Sequence, residues 1–167
     1  MQIKNFPVNS KNSYVVFENN DKIEELEPFM KENKLSRVIF SGFLGYSKSV
    51  LPFNNDIDVI EEISIQCSNI TDLAPLYHLS NIKKISIEEN AALAHPFDIR
   101  KIAQLTDFFT DDTLKIDGFF DHPTLKQLHI EPKKTKKLDI HNENNILESL
   151  SIANSHILDL SDCKKFT

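Results

Sequence analysis

The hexapeptide Ile60-Glu-Glu-Ile63-Ser-Ile65 returns three times along the chain with the same spacing of apolar residues. The other copies are Ile82-Lys-Lys-Ile85-Ser-Ile87, Leu125-Lys-Gln-Leu128-His-Ile130 and Leu147-Glu-Ser-Leu150-Ser-Ile152. The first two copies begin 22 residues apart, and so do the last two. A fixed period of this length indicates a solenoid, because so small a unit can bury its apolar face only by stacking on its neighbours.

Two weaker copies extend the repeat. Leu105-Thr-Asp-Phe108-Phe-Thr110 lies between the second and third clear copies and leaves no gap long enough for another fold. Leu35-Ser-Arg-Val38-Ile-Phe40 precedes the first clear copy by 25 residues, and Gly42 and Gly45 allow an irregular turn after it. The sequence therefore predicts five or six units.

Within a unit, the spacing predicts a strand followed by a short return segment. The second and third apolar residues of each copy are two positions apart, so both point to one face of a strand. Apolar residues then recur every third position, which favours a 3₁₀ or helical segment that packs on the strand. In the first clear unit these residues are Ile70, Leu73, Leu76 and Leu79. We also expect core positions for Phe40, Phe43, Phe108, Phe119 and Phe120.

This pattern, LxxLxLxx(N)xL followed by apolar residues at every third position, resembles the 22-residue class of leucine-rich repeats. The resemblance covers roughly residues 35 to 162. It implies an α/β solenoid shaped as a horseshoe, with a parallel β-sheet on the concave face and short helical, 3₁₀ or irregular returns on the convex face. Only Asn90 keeps the asparagine of the family's turn, which is replaced in other units by Ser68, Lys133 and Ser155. Some turns are therefore expected to be distorted.

Residues 1–34 are predicted to form a cap that continues directly into the repeats of residues 35–167, giving a single domain. Ser13-Tyr-Val-Val-Phe17 predicts a strand, and Asp21-Lys-Ile-Glu24 resembles a capping box that opens an amphipathic helix. Pro28 lies inside the helical pattern, so it predicts either a kink or a later start near Glu27.

The other end of the sheet is expected to be an open edge. Ile157-Leu-Asp-Leu160 completes the last unit, and only seven residues follow, which is too few for a capping helix. An exposed strand edge favours pairing with another chain. Three alternatives follow: Lys164-Lys165-Phe166 covers the edge, two copies form a homodimer through it, or the sequence is truncated.

Composition and motifs exclude several classes of function. The net charge of −6 argues against nucleic acid as a partner and favours a neutral or basic protein. The chain has no signal-peptide pattern and no run of about 18 apolar residues, so we expect a cytoplasmic protein without membrane contact. Cys67 and Cys163 are expected to be reduced and structural. No enzyme motif is present and the six histidines are scattered, which predicts no catalysis, no cofactor and no metal, with the histidines at the surface or in loops.

The side chains that the template leaves in solvent define the candidate binding face. Positions three, five and seven of each unit project from the sheet and give three columns. The first is Arg37, Glu62, Lys84, Asp107, Gln127 and Ser149. The second is Ile39, Ser64, Ser86, Phe109, His129 and Ser151. The third is Ser41, Gln66, Glu88, Asp111, Glu131 and Ala153.

Acidic residues concentrate at the centre of these columns, beside an aromatic side chain. Glu88, Asp111 and Glu131 would repel one another unless a basic partner or solvent offsets their charge. Phe109 is the kind of aromatic anchor that dominates interfaces. The predicted partner-binding residues are Glu62, Lys84, Glu88, Asp107, Phe109, Asp111, His129 and Glu131. The alternative is that the charges only confer solubility and that Phe109 turns inward in a mis-framed repeat.

Two functional hypotheses follow from this reasoning. The first is a non-enzymatic protein-binding module whose acidic concave face engages a basic protein, as extended solenoid surfaces do. An immunity or antitoxin-type inhibitor is one form of it, by analogy alone. The second is a fragment or structural cap of a larger repeat protein without a dedicated binding site.

Overall fold

One open, mostly parallel β-sheet dominates the computed structural model, which describes residues 1–5, 12–88, 93–110, 115–131 and 146–153. The one α-helix of this described part is α1 (Ile23–Asn33). Its strands are β1 (Gln2–Asn5), β2 (Ser13–Val16), β3 (Arg37–Ser41), β4 (Glu62–Gln66), β5 (Lys84–Glu88), β6 (Phe97–Asp98), β7 (Asp107–Thr110), β8 (Ile116–Asp117), β9 (Gln127–Ile130) and β10 (Ser149–Ile152).

The large sheet has the strand order β1-β2-β3-β4-β5-β7-β9-β10. Strand β1 pairs antiparallel with β2, and every other pair in this sheet is parallel. Strands β6 and β8 form a second, two-stranded parallel sheet among the return segments. The predicted α/β class with a parallel sheet is confirmed, whereas neither β1 nor the small sheet was predicted.

Each of the six hexapeptides contributes one strand to the parallel ladder, from β3 to β10. Two successive backbone amides at the start of a strand donate to one carbonyl of the preceding unit. Lys83 and Lys84 both donate to the Glu61 oxygen, at 2.9 and 3.0 Å. The same pair of bonds recurs at the carbonyls of Ser36, Lys83, Thr106 and Lys126. The units are therefore stacked in one frame, including the weak copy at Leu105.

Alternation along the strands sends one apolar set into a common core. The inward residues of β3, β4, β5, β7 and β9 include Val38, Phe40, Ile63, Ile65, Ile85, Ile87, Phe108, Leu128 and Ile130, all buried. Thr110 takes an inward position in the weak copy and is also buried. On the opposite side, Tyr14, Val16 and Ile39 form a small second cluster against which Leu44 packs.

The return segments are short, as the spacing predicts. Ala74–His78 forms a 3₁₀ turn with Leu76 fully buried, and Ile99–Lys101 forms another with Ile99 buried. Tyr77 from the first turn stacks on Phe97, with ring centroids 5.1 Å apart. These segments close the core on the side away from the sheet, since a strand alone covers only one of its sides.

The structure confirms the predicted strand at Ser13–Val16 and corrects the start of helix α1. The helix begins at Ile23, so the later start near Glu27 is wrong, and Pro28 lies inside it. The capping box is also wrong, because the N-cap is Lys22 and makes no side-chain capping bond. Asp21 instead accepts bonds from the Met1 ammonium at 2.6 Å and from the Glu18 amide at 2.8 Å.

Phe43 overturns one expectation about the aromatic residues. Phe40, Phe108 and Phe119 are buried as predicted, but Phe43 is 83% exposed. It lies in the 3₁₀ turn Gly42–Leu44, which ends at Gly45 with φ 98, a left-handed conformation that favours glycine. The strand pattern stops at Ser41, so the alternation that directs Phe40 inward does not continue to Phe43.

Candidate functional site

The outer face is the side of the large sheet that points away from the core, and it carries the described residues of the three predicted columns. Ile39, Ser41 and Ser64 are buried there, so their predicted exposure is wrong. The strand register aligns the first column as Arg37, Glu62, Lys84, Asp107, Gln127 and Ser149, and the second as Ile39, Ser64, Ser86, Phe109, His129 and Ser151. In the third column Ser41, Gln66 and Glu88 are aligned. The Glu131 amide donates to the Thr110 carbonyl at 2.8 Å.

At the N-terminal side of this face, one carboxylate is surrounded by two cations and a phenol. Arg37 Nε lies 2.9 Å from Glu62 Oε2, and Lys84 Nζ lies 3.4 Å from Glu62 Oε1. The Tyr14 hydroxyl donates to the same carboxylate, and the Arg37 guanidinium sits 5.9 Å from the centre of the Tyr14 ring. Burial and the hydrogen bond to Glu62 raise the pKa of Tyr14 well above its usual range. The negative charge of Glu62 is thus fully compensated within the molecule.

Glu88 lies on β5, two strands away from β3, and its environment differs from that of Glu62. Its carboxylate accepts hydrogen bonds from Ser86 Oγ at 3.1 Å and from Gln66 Nε2 at 3.4 Å. Both donors are neutral. Within the described part of the chain, no basic side chain lies within ion-pair distance of Glu88. Its half-buried negative charge is therefore available to a cation from outside.

Phe109 and His129 form an aromatic platform on the next two strands. The rings are stacked, with centroids 4.6 Å apart and planes 12° apart, and both residues are half-buried. His129 Nε2 lies 3.2 Å from Glu131 Oε1. Phe108 points into the core and Phe109 outward, so the alternative in which Phe109 turns inward is wrong.

Two depressions in the outer face flank the Phe109 ring. One, of about 390 Å³, is lined by Tyr14, Ile39, Glu62, Ser64, Gln66, Lys84, Ser86, Glu88 and Phe109. The other, of about 300 Å³, is lined by Lys84, Asp107, Phe108, Phe109, Gln127, Leu128, His129, Ser149 and Ser151. We call the first depression the trench. Its floor is low because Ser64 and Ser86, two small residues, are paired on adjacent strands.

The predicted site residues lie on this face, except Asp111, which lies outside the described residues. Glu62 and Lys84 pair with each other, and Asp107 is aligned beside Lys84. Glu88 and Phe109 line the trench, while His129 stacks on Phe109 and contacts Glu131. Asp107 accepts a bond from Thr106 Oγ1 at 2.7 Å.

Sequence reasoning missed Tyr14, which hydrogen-bonds to Glu62. Tyr14 carries no repeat signature, but Val15 pairs with Val38 and thereby adds β2 to the ladder beside Arg37. The predicted strand at Ser13–Phe17 would have indicated Tyr14 if that strand had been aligned with the first column. The exposed Phe43 was missed because it falls beyond the strand pattern.

Other titratable groups serve the fold. His122 lies in the loop between β8 and β9, one of the two positions predicted for the histidines, but it is only 3% exposed and so is not at the surface. Its Nε2 lies 3.0 Å from the Ile99 carbonyl and 3.2 Å from that of Ile102, while its Nδ1 accepts from the Thr124 amide at 3.2 Å. Burial lowers the pKa of His122. Cys67 is buried, and its Sγ donates to the Phe40 carbonyl at 3.3 Å.

Searches of the described residues for a metal centre and for a membrane span were both negative. No group of three or more His, Cys, Asp or Glu side chains there could hold a metal ion. No helix there has the length and apolar composition needed to cross a bilayer. Several predictions concern positions outside the described residues: Asn90, Lys133, Ser155, Cys163 and the expected edge near Leu160.

Comparison with protein-family models, curated proteins and solved structures found no match for this chain. The structure by itself defines the class as an α/β protein with an open, mostly parallel sheet.

Proposed function

We propose that this chain is a leucine-rich-repeat solenoid that binds a basic protein through its outer face and catalyses no reaction. The repeat assignment is supported by the ladder, in which Glu62 pairs with Lys84 and Gln127 with Ser149, at separations of 22 residues. Stacked units of this kind present one extended sheet surface, which is where such proteins bind their partners.

The observation that carries this proposal is the aromatic platform of Phe109 and His129 beside carboxylates on one continuous face. A half-exposed aromatic pair offers apolar area that a partner can cover, and rings of this kind dominate the energetics of interfaces. The aromatic side chain is fixed by stacking before any partner arrives, so binding loses little side-chain entropy.

The distribution of charge favours a basic partner. Arg37 and Lys84 are paired with Glu62, and Asp107 lies beside Lys84. The carboxylates of Glu88 and Glu131 lie next to the platform, and no described lysine or arginine forms an ion pair with that of Glu88. A basic surface would therefore be steered to the platform and away from the Arg37 side. Net acidity of the whole chain, at −6, acts in the same direction at longer range.

An immunity or antitoxin-type inhibitor is the particular form that we propose for this binding function. Such a protein needs only a face that covers a basic partner, and no catalytic group. The analogy is supported by small size and net acidity. A toxin-like reading frame beside the gene, whose product is neutralised when the two are co-expressed, is the expected finding.

The outer face can be tested by reversing its charges. The tagged chain is used to capture a partner from cells of its source, in the wild-type form and as the Glu88→Lys/Glu131→Lys variant. The control is Glu24→Lys/Glu32→Lys, which makes the same change of net charge on the exposed side of helix α1. We expect at least about a tenfold loss of affinity for the outer-face variant alone, because each charge reversed at an interface rim weakens association.

Equal capture by all three forms would refute the outer face as the binding site. An equal loss in both variants would show that net charge, and not this face, controls association. Photocrosslinking from Gln127, which is exposed beside the platform, then identifies the partner directly.

A further inference from the structure

The trench has the size, walls and charge to accept one long side chain from a partner. Ser64 and Ser86 form its floor, and along the second column Ile39 and Phe109 stand on either side of them. Three strand spacings separate Ile39 from Phe109, or roughly 14 Å. The two small residues therefore leave a gap two strands wide, with a volume of about 390 Å³.

Charge differs between the two ends of the trench. At one end the Glu62 carboxylate is already paired with Arg37 and Lys84. At the other end Glu88 accepts bonds from Ser86 and Gln66, both neutral, and no basic side chain of the described residues forms an ion pair with it. A cation that enters the trench is consequently directed to Glu88.

Phe109 supplies the remaining contact. One face of its ring is covered by the parallel ring of His129 on β9, while the ring also lines the trench on the β5 side. The ring face turned away from His129 is thus what the trench presents. A guanidinium is planar, stacks on an aromatic face and pairs with a carboxylate. The apolar stem of an arginine side chain also packs against apolar surface, which a shorter or fully polar side chain cannot do.

We propose that the trench is the receptor for a single arginine side chain of the basic partner, whose guanidinium lies between the Phe109 ring and the Glu88 carboxylate. This inference rests on the proposed function, since it names the group on the partner that the outer face recognises. The role of Ser64 and Ser86 in this arrangement is to leave the space in which the arginine stem lies.

The test uses acetylated pentapeptide amides of sequence Gly-Gly-X-Gly-Gly and chemical-shift titration of the isotope-labelled full chain. X is arginine, citrulline or lysine; citrulline has nearly the shape of arginine without its charge. We expect the arginine peptide to shift the amides of Ser64, Ser86 and Glu88 saturably, with a Kd on the order of 1 mM, and citrulline to bind at least about tenfold more weakly. Contacts between the arginine δ-protons and the Phe109 ring are expected in the nuclear Overhauser spectrum.

Ser86→Leu fills the trench without changing any charge and should weaken arginine binding by at least about tenfold. Ser68→Leu makes the same substitution at an exposed position beyond β4 and should leave binding unchanged. If Ser86→Leu does not fold, Glu88→Gln and Phe109→Leu take its place, and each should weaken binding by more than about threefold.

Equal binding of citrulline or lysine, unchanged binding by Ser86→Leu, or the absence of saturable shifts would overturn the arginine assignment. Those results would not contradict the capture of a partner by the outer face. Conversely, if charge reversal at Glu88 and Glu131 does not reduce capture, the proposed function fails even where the peptide binds. The two proposals are therefore refuted by different measurements.

Discussion

Phe108 and Phe109 are neighbours in sequence, yet one is 2% exposed in the core and the other stacks on His129 at the outer face. Strand β7 is in register with β5 and β9, so the alternation of its side chains is fixed by both neighbours. Each of the following predictions depends on such a difference between two similar residues.

Replacing these two phenylalanines should have very different effects on stability. Phe108→Ala removes a ring from the core and should lower the free energy of unfolding by about 3–5 kcal/mol. Phe109→Ala loses the stacking contact and partial burial, which are together worth about 1 kcal/mol. Urea denaturation of the two variants measures both values. A larger loss for Phe109→Ala would show that the repeat at Leu105 is in the other frame.

Glu62 and Glu61 should also differ when neutralised. Glu62→Gln leaves Arg37 and Lys84 without their shared carboxylate and removes the charged acceptor of Tyr14, so we expect a loss of about 1–3 kcal/mol in unfolding free energy. Glu61→Gln breaks one exposed ion pair with Lys83 and should lose less than about 1 kcal/mol. Thermal and urea unfolding at low and high salt check this prediction, and equal losses would contradict it.

His122 should make the fold sensitive to mild acid. Burial lowers its pKa in the folded chain, so below the ordinary histidine pKa of about 6.5 the unfolded chain binds more protons than the folded one. The free energy of unfolding should therefore fall as the pH decreases from about 7 to 5.

A variant without this imidazole isolates its contribution. His122→Gln should flatten the pH dependence of unfolding free energy between about pH 7 and pH 5, although it lowers stability overall. His78→Gln, at an exposed histidine, should keep the wild-type slope. The same slope in all three chains would rule out His122 as the titrating group.

Two glycines offer a comparison of backbone conformation. Gly118 has φ +91, and a Cβ there would lie 2.7 Å from Arg100 Cγ and 3.0 Å from Asp98 Oδ1. Gly118→Ala should therefore destabilise the fold by at least about 1–2 kcal/mol. Gly42→Ala meets nothing closer than the Gln66 carbonyl oxygen at 3.7 Å and should change stability by no more than about 0.5 kcal/mol. Melting temperatures of the two variants decide the matter, and a similar decrease in both would contradict the strained conformation of Gly118.

The repeat spacing predicts the main features of this fold because stacking forces every unit into the same frame. Ile63 and Ile85 face the core, and Glu62 and Lys84 align, as a 22-residue period requires. Features outside the period escaped prediction. Strand β1 forms only through long-range pairing with β2, and Asp21 binds the Met1 ammonium, 20 residues away, rather than capping its own helix.

The residues of the outer face could be predicted individually, but not their pairing. Sequence alone puts Glu62 and Glu88 in one acidic set, since both are carboxylates at projecting positions. In the structure they differ because the neighbours of Glu62 include two cations and those of Glu88 include none of the described ones. This difference in charged neighbours depends on which side chains are paired across strands. It makes the two ends of the trench electrostatically different.

The two amides that share one carbonyl at the start of each strand from β4 give these strand starts the same backbone geometry. Their side chains are not equivalent. Excising residues 62–83 would put Lys84 directly beside Arg37 and remove the carboxylate that now separates them. The order of the strands therefore decides which charges meet on the outer face, and a chain with these units in another order should present a different charge pattern there.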